Sequence, residues 1–228
     1  MKIVSATHQG LVRLNNEDAV LVDETVGWVA LADGMGGLLA GEEASELAVV
    51  SVKQTMAAGG HPVRELLLSA HQRVKSHAQS KNYLGKMGTT LVVWCWQNGQ
   101  PEFCHVGDSR LYAFNDGELA RLSHDHTVAQ RMIDEGLIAP EDAANAPHQN
   151  VLTQALGMPG TLQPQSGSTP VAGRLLFCSD GLSDLVNDAD IQSIMGLDDL
   201  EECLKLLLKS ALDRGGRDNV TVALVDLD

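Results

Sequence analysis

The 228-residue sequence predicts an α+β domain in which two β-sheets are faced by helices. Three observations support this prediction. Apolar runs with β-like composition are grouped at the start, in the middle and at the end of the chain. Stretches with helical periodicity fall between those groups. The chain shows no internal repeat and no linker between two globules, so we expect residues 1–228 to form a single domain.

The first part of the chain is predicted to contain three strands followed by two helices. The strands are the short runs Ile3–Thr7, Ala19–Val22 and Trp28–Ala32. The first helix is expected at about Glu42–Ala58, where apolar residues recur every three or four positions. Pro62 suits the first turn of the second helix, which carries an apolar stripe from Val63 to Val74. Each helix should therefore bury one face.

The middle of the chain is predicted to form a group of antiparallel neighbouring strands. Its members are Thr89–Trp96, Glu102–Val106, Leu111–Phe114 and Leu119–Leu122. Asn98-Gly99 and Asp116-Gly117 lie between members, and both dipeptides favour the positive φ angles of tight hairpins. Residues 126–137 have a helical pattern, whereas the pattern dissolves between residues 138 and 172, where prolines are concentrated. We interpret residues 126–172 as a flap.

The last part of the chain is predicted to alternate strand, helix and strand. Arg174–Cys178 is an apolar strand, and a clean apolar stripe predicts a helix at about Asp198–Arg214. Gly215-Gly216 ends this helix. Val220–Leu227 is the final strand.

Composition and charge exclude several classes of function. The chain has 30 acidic and 16 basic residues, a net charge of −14, and no cluster of lysine and arginine, so it is not expected to bind nucleic acid. No apolar run approaches the ~20 residues of a membrane span. The N-terminus lacks the apolar core of a signal peptide. The four cysteines show no CxxC spacing, so we expect a reducing, cytoplasmic compartment.

Acidic residues recur at the ends of the predicted apolar strands. They are Glu17, Asp18, Asp33, Asp108, Asp180 and Asp218. An Asp-Gly pair is first of all a turn signal, and Asp108 has this simpler interpretation because it lies between strands expected to form a hairpin. If the strand ends meet on one rim, Glu17, Asp33, Asp180 and Asp218 would form a cage of oxygen ligands.

Such a cage requires cations. Two carboxylates ~5 Å apart at an effective dielectric constant of ~20 repel each other by about 3 kcal/mol. Hard divalent ions such as Mg²⁺ and Mn²⁺ prefer oxygen ligands, and the histidines and cysteines are not placed for zinc. Gly34 follows Asp33, so its backbone carbonyl could approach an ion. Arg13, four residues before Glu17, could bind an oxyanion beside the metals, although a surface arginine is the simpler interpretation.

Seven motifs, in this order along essentially the whole chain, resemble those of the PPM metal-dependent phosphatases, the type 2C protein serine/threonine phosphatases, and in particular the short bacterial members. The motifs are Gly10-x-x-Arg13-x-x-Asn16-Glu17-Asp18, Asp33-Gly34-Met35-Gly36-Gly37, Gly88-Thr89-Thr90, Gly107-Asp108-Ser109-Arg110, His124-Asp125-His126-Thr127, Ser179-Asp180-Gly181-Leu182-Ser183-Asp184 and Asp218-Asn219-Val220-Thr221.

The resemblance implies a four-layer αββα sandwich with a binuclear Mn²⁺ or Mg²⁺ centre at one end. It implies that Asp33 bridges the two ions. Asp180 and Asp218 would complete the coordination of one ion, and Glu17 with the Gly34 carbonyl that of the other.

The same resemblance assigns roles to the residues around the metals. Asp18 would hydrogen-bond the attacking water, Arg13 would hold the substrate phosphate, and Asn219 would support the site. Asp125 would bind a weaker third ion together with Asp180. Met35 departs from the pattern of animal and plant relatives, which have a histidine proposed as the general acid at this position, and methionine cannot donate a proton.

The expected reaction is hydrolysis of phosphoserine and phosphothreonine in proteins by a water whose pKa two cations lower towards ~7. The expected partners are phosphorylated proteins and a serine/threonine kinase, and we expect a monomer. Two alternatives stay open. The first is a hydrolase of another phosphoester, although the lack of a basic groove argues against a nuclease. The second is a non-catalytic binding module, which loss of a metal-binding acid would mark, and none is missing.

Overall fold

The computed structural model describes residues 1–35, 39–59, 62–97, 99–145 and 150–228, and these contain eleven strands, six α-helices and one 3-10 helix. In chain order they are β1 (Lys2–His8), β2 (Asp18–Asp23), β3 (Trp28–Met35), α1 (Leu39–Ala57), α2 (Val63–Ser80), β4 (Gly88–Thr89), β5 (Leu91–Gln97), β6 (Gln100–Val106), β7 (Arg110–Asn115), β8 (Glu118–Arg121), α3 (Val128–Asp134), the 3-10 helix (Pro140–Asn145), β9 (Gln165–Ser168), β10 (Arg174–Cys178), α4 (Asp180–Ser183), α5 (Asp188–Met195), α6 (Leu200–Asp213) and β11 (Val220–Asp226).

The strands form two antiparallel sheets. The first sheet has the order β1-β11-β10-β7-β8, so its centre includes the last strand of the chain. The second sheet has the order β2-β3-β5-β6-β9, and the short β4 pairs with β3. None of the helices in the described ranges has the length and apolar character that crossing a membrane requires.

Three apolar cores hold the layers together, and two of them explain why β3 is continuously apolar from Trp28 to Ala32. Val29 and Leu31 face the first sheet, whereas Ala30 and Ala32 face α1 and α2 on the opposite side. Because successive side chains of a strand point to opposite faces, a strand buried on both faces is apolar at every position. The first sheet is covered in the same way by α4, α5 and α6. The predicted four-layer αββα sandwich is confirmed.

The predicted group of four antiparallel neighbours in the middle of the chain is wrong at its centre. Strands β5 and β6 pair, as do β7 and β8, but β6 lies in the second sheet and β7 in the first. Residues 107–109 are therefore a crossover between layers. A Cβ on Gly107 would lie 2.5 Å from Thr90 Cγ2, so the crossover passes too close to β5 for any side chain. Asp108 therefore lies on the segment that crosses from the second sheet to the first.

The structure describes both residues of one predicted hairpin turn, Asp116-Gly117, but only the glycine of the other, Asn98-Gly99. Asp116 and Gly117 both have positive φ angles, of 51° and 82°, as a tight hairpin between β7 and β8 requires. Asn98 lies outside the described residues, as do Gly36 and Gly37 of the glycine-rich motif.

Residues 138–172 are more ordered than their sequence pattern indicates. Strand β9 pairs with β6 between His105 and Glu102, although its Gln-Ser-Gly-Ser sequence has no apolar residue. Leu156 is fully buried and exchanges backbone hydrogen bonds with Thr89. Helices α4 and α5 were also not predicted. Helix α5 buries only Ile191 and Met195, too few positions for a clear helical stripe.

Candidate functional site

A cleft of about 900 Å³ opens at one end of the sandwich. Its charged lining residues come from distant parts of the chain: Arg13, Asp108, Arg110, Arg121, Asp125, Asp180, Asp184, Arg217 and Asp218. Most of these charged residues lie at or next to strand ends or on the crossover between the two sheets. The predicted gathering of acidic strand ends on one rim is thus observed for Asp108, Asp180 and Asp218.

Asp18 and Asp33 lie directly opposite each other on β2 and β3. Like charges at directly opposed positions destabilise a sheet unless something compensates them. Asp18 Oδ2 accepts hydrogen bonds from Ser179 Oγ (2.8 Å) and Thr221 Oγ1 (2.7 Å), which fix its orientation. Burial nevertheless raises the pKa of Asp18 to about 6, against the lowering effect of the two hydroxyl groups.

The same electrostatic strain extends to the acids around this pair. Burial, followed by the charge of Asp18, raises the pKa of Asp33 well above its ordinary value. Burial and then the charge of Asp108 do the same for Asp180. Burial, followed by the charge of Asp125, raises the pKa of Asp108 to about 7. Burial and the charges of neighbouring acids therefore both disfavour full ionisation of this group near neutral pH, and bound cations would compensate both effects.

Glu17 lies where β3 meets the start of α1. A Cβ on Gly41 would lie 2.3 Å from Glu17 Oε2, and a Cβ on Gly34 would lie 2.2 Å from the Gly41 carbonyl oxygen. The Gly34 amide donates to the Glu17 carbonyl oxygen at 3.0 Å. Glycine at both positions is thus what lets the three segments come together. Burial is the main reason why the pKa of Glu17 is raised.

Asn219 fastens the loop that carries Arg13 and Glu17. Its Nδ2 donates to the carbonyl oxygens of Gln9 and Asn15, both at 2.8 Å. Its Oδ1 accepts from the Glu17 amide, also at 2.8 Å. The side chain is buried and uses both ends of its amide group. Asn219 therefore positions the loop through three hydrogen bonds rather than by facing the cleft.

Arg13 and Asp218 form an ion pair at the mouth of the cleft. Arg13 Nη2 lies 2.6 Å from Asp218 Oδ2, and the hydrogen bond to Asp218 is the main reason why the pKa of Arg13 is raised. The Arg13 side chain is 55% exposed and so remains open to solvent. The residue predicted to hold phosphate is therefore adjacent to a predicted metal ligand.

Asp125 also lines the cleft and is bound by two arginines. Arg110 Nη2 donates to Asp125 Oδ2 at 2.7 Å, and Arg121 Nη1 lies 3.4 Å from the same oxygen. The neighbouring histidines have structural partners. His124 Nε2 bonds Asp134 Oδ2 (2.8 Å), and His126 Nδ1 accepts from the Gly107 amide (3.1 Å).

The donor chemistry fits hard divalent cations, whereas the side-chain arrangement does not enclose one. In the part of the chain that the structure describes, no three His, Cys, Asp or Glu side chains are close enough to hold an ion. Two predicted ligands are instead engaged by arginines: Asp218 by Arg13 and Asp125 by Arg110. The clustered donors are oxygens, the type that Mg²⁺ and Mn²⁺ prefer. Closing a cage would require carboxylates to rotate towards one another.

Sequence reasoning missed several residues that line the cleft. It gave Asp108 a turn role and assigned no role to Arg110, Arg121, Asp184 or Arg217. Asp108 and Arg110 stand in a quoted motif, but their place depends on the crossover between sheets. Asp184 also stands in a quoted motif, whereas Arg121 and Arg217 are visible only as charged residues near predicted strand or helix ends.

A comparison with protein families decides which family the chain belongs to. The sequence model of the family described as Protein phosphatase 2C matches residues 6–215 of this chain. The chain belongs to the protein phosphatase 2C family. The predicted family is therefore confirmed, and the ordered motifs were a sufficient basis for predicting it.

Individual 2C phosphatases match along the whole chain. The chain is 35% identical over 233 residues to the serine/threonine protein phosphatase PstP of Mycobacterium tuberculosis, a match that covers 100% of this chain and 45% of PstP. It is 34% identical over 237 residues to the serine/threonine phosphatase stp of Listeria monocytogenes, covering 97% of this chain and 94% of stp. The chain therefore spans less than half of PstP but almost all of stp.

A solved structure of a 2C phosphatase shares the fold. The crystal structure of the catalytic domain of PstP in complex with two manganese ions superposes with a TM-score of 0.87 at 34% identity. The match covers 99% of this chain and 97% of that one.

Proposed function

We propose that this chain hydrolyses phosphoserine and phosphothreonine in proteins with the help of divalent cations. The observation that carries the proposal is the meeting of carboxylates from distant segments, among them Asp108 and Asp180 with raised pKa values, and Arg13 at one cleft of a 2C phosphatase fold. The relatives are named serine/threonine phosphatases, and the PstP catalytic domain has been crystallised with two manganese ions. The enzyme class is therefore protein serine/threonine phosphatase.

We assign the cations to Asp180 and Asp218, which line the cleft, and to Asp33 and Glu17, which are not among its lining residues. Asp33 would be shared between two ions, Asp180 and Asp218 would bind one of them, and Glu17 with the Gly34 carbonyl would bind the other. Bound in this way, divalent cations supply water activation and neutralise charge on the substrate phosphate. The raised pKa values of Asp33 and Asp180 support this assignment, because burial and then the charges of neighbouring acids disfavour their ionisation, and bound cations would compensate both effects.

Asp18 and Arg13 act directly on the reactants. Two hydroxyl groups hold Asp18 Oδ2, so its other carboxylate oxygen is the acceptor that we assign to the attacking water. The exposed planar guanidinium of Arg13 suits two phosphate oxygens of the substrate. Asn219 fixes the loop between these residues and so positions both Arg13 and Glu17.

We propose Mn²⁺ or Mg²⁺ as the ions, and a third, weaker ion bound by Asp125 and Asp180. Asp125 and Asp180 both line the cleft, which supports this pairing. Asp125 would have to give up part of its bonding to Arg110 and Arg121 to bind an ion. That competition is a physical reason for weak binding of the third ion.

We propose that the substrates include a serine/threonine kinase and its targets, and that the enzyme is a cytoplasmic monomer. All four cysteines are buried free thiols, a state that a reducing compartment maintains. Light scattering coupled to size exclusion would test the monomeric state.

Hydrolysis of a phosphothreonine peptide, followed by phosphate release, tests the proposed function. EDTA should abolish the activity and added Mn²⁺ should restore it. Asp218→Asn should remain inactive with Mn²⁺, whereas Glu118→Gln, which removes an exposed carboxylate on β8, should behave as the wild type. Activity in protein shown by metal analysis to be free of divalent ions would contradict the proposal.

A further inference from the structure

Arginine is the only cationic residue type that lines the cleft in the described part of the chain. The four arginines differ in their bonding. Arg13 is bound to Asp218, while Arg110 and Arg121 are bound to Asp125. Arg217 also lines the cleft, but it has no hydrogen bond or ion pair with any described residue.

The backbone that carries Arg217 is fixed. Arg217 follows the turn between α6 and β11, where the Gly216 amide donates to the Ala211 carbonyl oxygen at 3.1 Å. The Gly216 carbonyl oxygen accepts from the Leu11 amide at 2.8 Å, so the turn is joined to the loop of Arg13. Asn219, two residues later, is bonded to the same loop. An exposed guanidinium on a fixed base loses little backbone freedom when it binds a ligand.

The chemistry of Arg217 matches an anion rather than a neutral or cationic group. The chain carries a net charge of −14, yet this arginine, next to Asp218 in sequence, has no ion-pair partner in the part of the chain that the structure describes. A guanidinium presents a planar set of N–H donors that matches a carboxylate or a phosphate. Because Arg13 lies on the adjoining loop, an anion at Arg217 would be a second one, next to the phosphate held by Arg13. Leu11, on that loop, is 65% exposed, so this rim is open to a polypeptide.

We infer that Arg217 is a specificity residue that binds an anionic side chain near the phosphorylated residue of the substrate, either a carboxylate or a second phosphate. The inference rests on the proposed function, since it names the kind of phosphoprotein that the same cleft prefers. Substrates with an acidic or phosphorylated residue close to the scissile phosphothreonine would bind better than those with neutral neighbours.

The test compares phosphothreonine peptides of equal length with the Mn²⁺-loaded enzyme. One peptide has only neutral residues around the phosphothreonine. In a first series, each peptide carries a single glutamate at one of the three positions before or the three positions after the phosphothreonine. In a second series, a residue with a non-hydrolysable phosphonate replaces that glutamate. Each is assayed with the wild type, Arg217→Ala, Arg217→Lys and Arg214→Ala. Arg214→Ala is the matched control because it removes one positive charge only three residues from Arg217. Arg214 bonds Asp190 and does not line the cleft.

We expect at least one glutamate position to lower the KM of the wild type about three- to fivefold, as an exposed ion pair allows. Arg217→Ala should lose this preference, Arg217→Lys should keep part of it, and Arg214→Ala should keep all of it. The preference should also shrink at high salt. A larger gain with the phosphonate would identify a second phosphate as the better anion.

Three results would overturn the assignment of Arg217. They are a wild type without any preference for anionic peptides, a preference that survives in Arg217→Ala, and an equal loss of it in Arg214→Ala. Failure of the proposed function is distinguishable from these. If no peptide is hydrolysed while fluorescence anisotropy still shows an Arg217-dependent affinity for anionic peptides, the phosphatase proposal is wrong and the assignment of Arg217 stands.

Discussion

Replacing Asp33 with asparagine should stabilise the metal-free protein while removing its activity. Asp33 faces Asp18 across two paired strands, and burial together with the charges of Asp18 and Asp180 raises its pKa well above the ordinary value. Asparagine keeps the shape of the side chain but cannot ionise. The substitution therefore removes repulsion from a site that has no cation to compensate it.

The expected magnitude follows from the pairing of Asp33 with Asp18 on opposed positions of β2 and β3. Two carboxylates ~5 Å apart at an effective dielectric constant of ~20 repel each other by about 3 kcal/mol. A carboxyl with a higher pKa in the folded state keeps its proton longer there than in the unfolded state. The associated stability is present below about pH 4 and is lost as the pH rises through the folded pKa.

The assay is urea unfolding in EDTA, followed by circular dichroism at pH 5 and pH 8. At pH 5 Asp33→Asn should already be more stable by a smaller margin, because Asp33 is protonated in the folded wild type but ionised in its unfolded chain. At pH 8 Asp33→Asn should be more stable by about 3 kcal/mol, a midpoint shift of roughly 1.5 M for an m-value of ~2 kcal/mol/M. His105, whose pKa burial lowers to about 3, opposes this trend in both proteins and cancels in their difference.

Two controls separate this effect from a general change in charge. Glu118→Gln removes an exposed carboxylate from β8 and should leave the midpoint nearly unchanged at both pH values. Asp33→Asn with added Mn²⁺ should release almost no phosphate from a phosphothreonine peptide. If Asp33→Asn is less stable than the wild type at pH 8 in EDTA, Asp33 is a structural residue and the reasoning is wrong.

Two further substitutions test other parts of the site. Asn219→Ala should cost about 3 kcal/mol, because it leaves the Glu17 amide and two carbonyl oxygens without partners, and it should weaken Mn²⁺ binding in a calorimetric titration. Unchanged Mn²⁺ affinity would show that the loop does not depend on this residue. Asp125→Ala should lower turnover and cost about 3 kcal/mol by leaving Arg110 unpaired, while metal analysis still finds two tight ions. Loss of a tight ion would reject Asp125 as a ligand of the weaker third ion.

The sequence by itself determined the layers, the family and most of the acidic residues of the cleft. Strand β3 is apolar at every position from Trp28 to Ala32 because both of its faces are buried there, and this is visible without coordinates. The ordered motifs were specific enough to identify the family. Weak elements were missed for a related reason: β9 has no apolar residue and is held by backbone hydrogen bonds to β6. Sequence patterns report side-chain burial, whereas these bonds depend on the neighbouring strand.

Only the tertiary structure decided which groups meet. The hydrogen bond from Thr221 to Asp18 joins residues 203 positions apart, and the crossover at Gly107 moves Asp108 from an expected hairpin into the cleft. The pairing of Arg13 with Asp218, while Arg217 has no ion-pair partner among the described residues, likewise has no local signature. Patterns in a sequence reflect neighbours within a few residues. The distances that set charge interactions are fixed only when distant strands pack into the same rim.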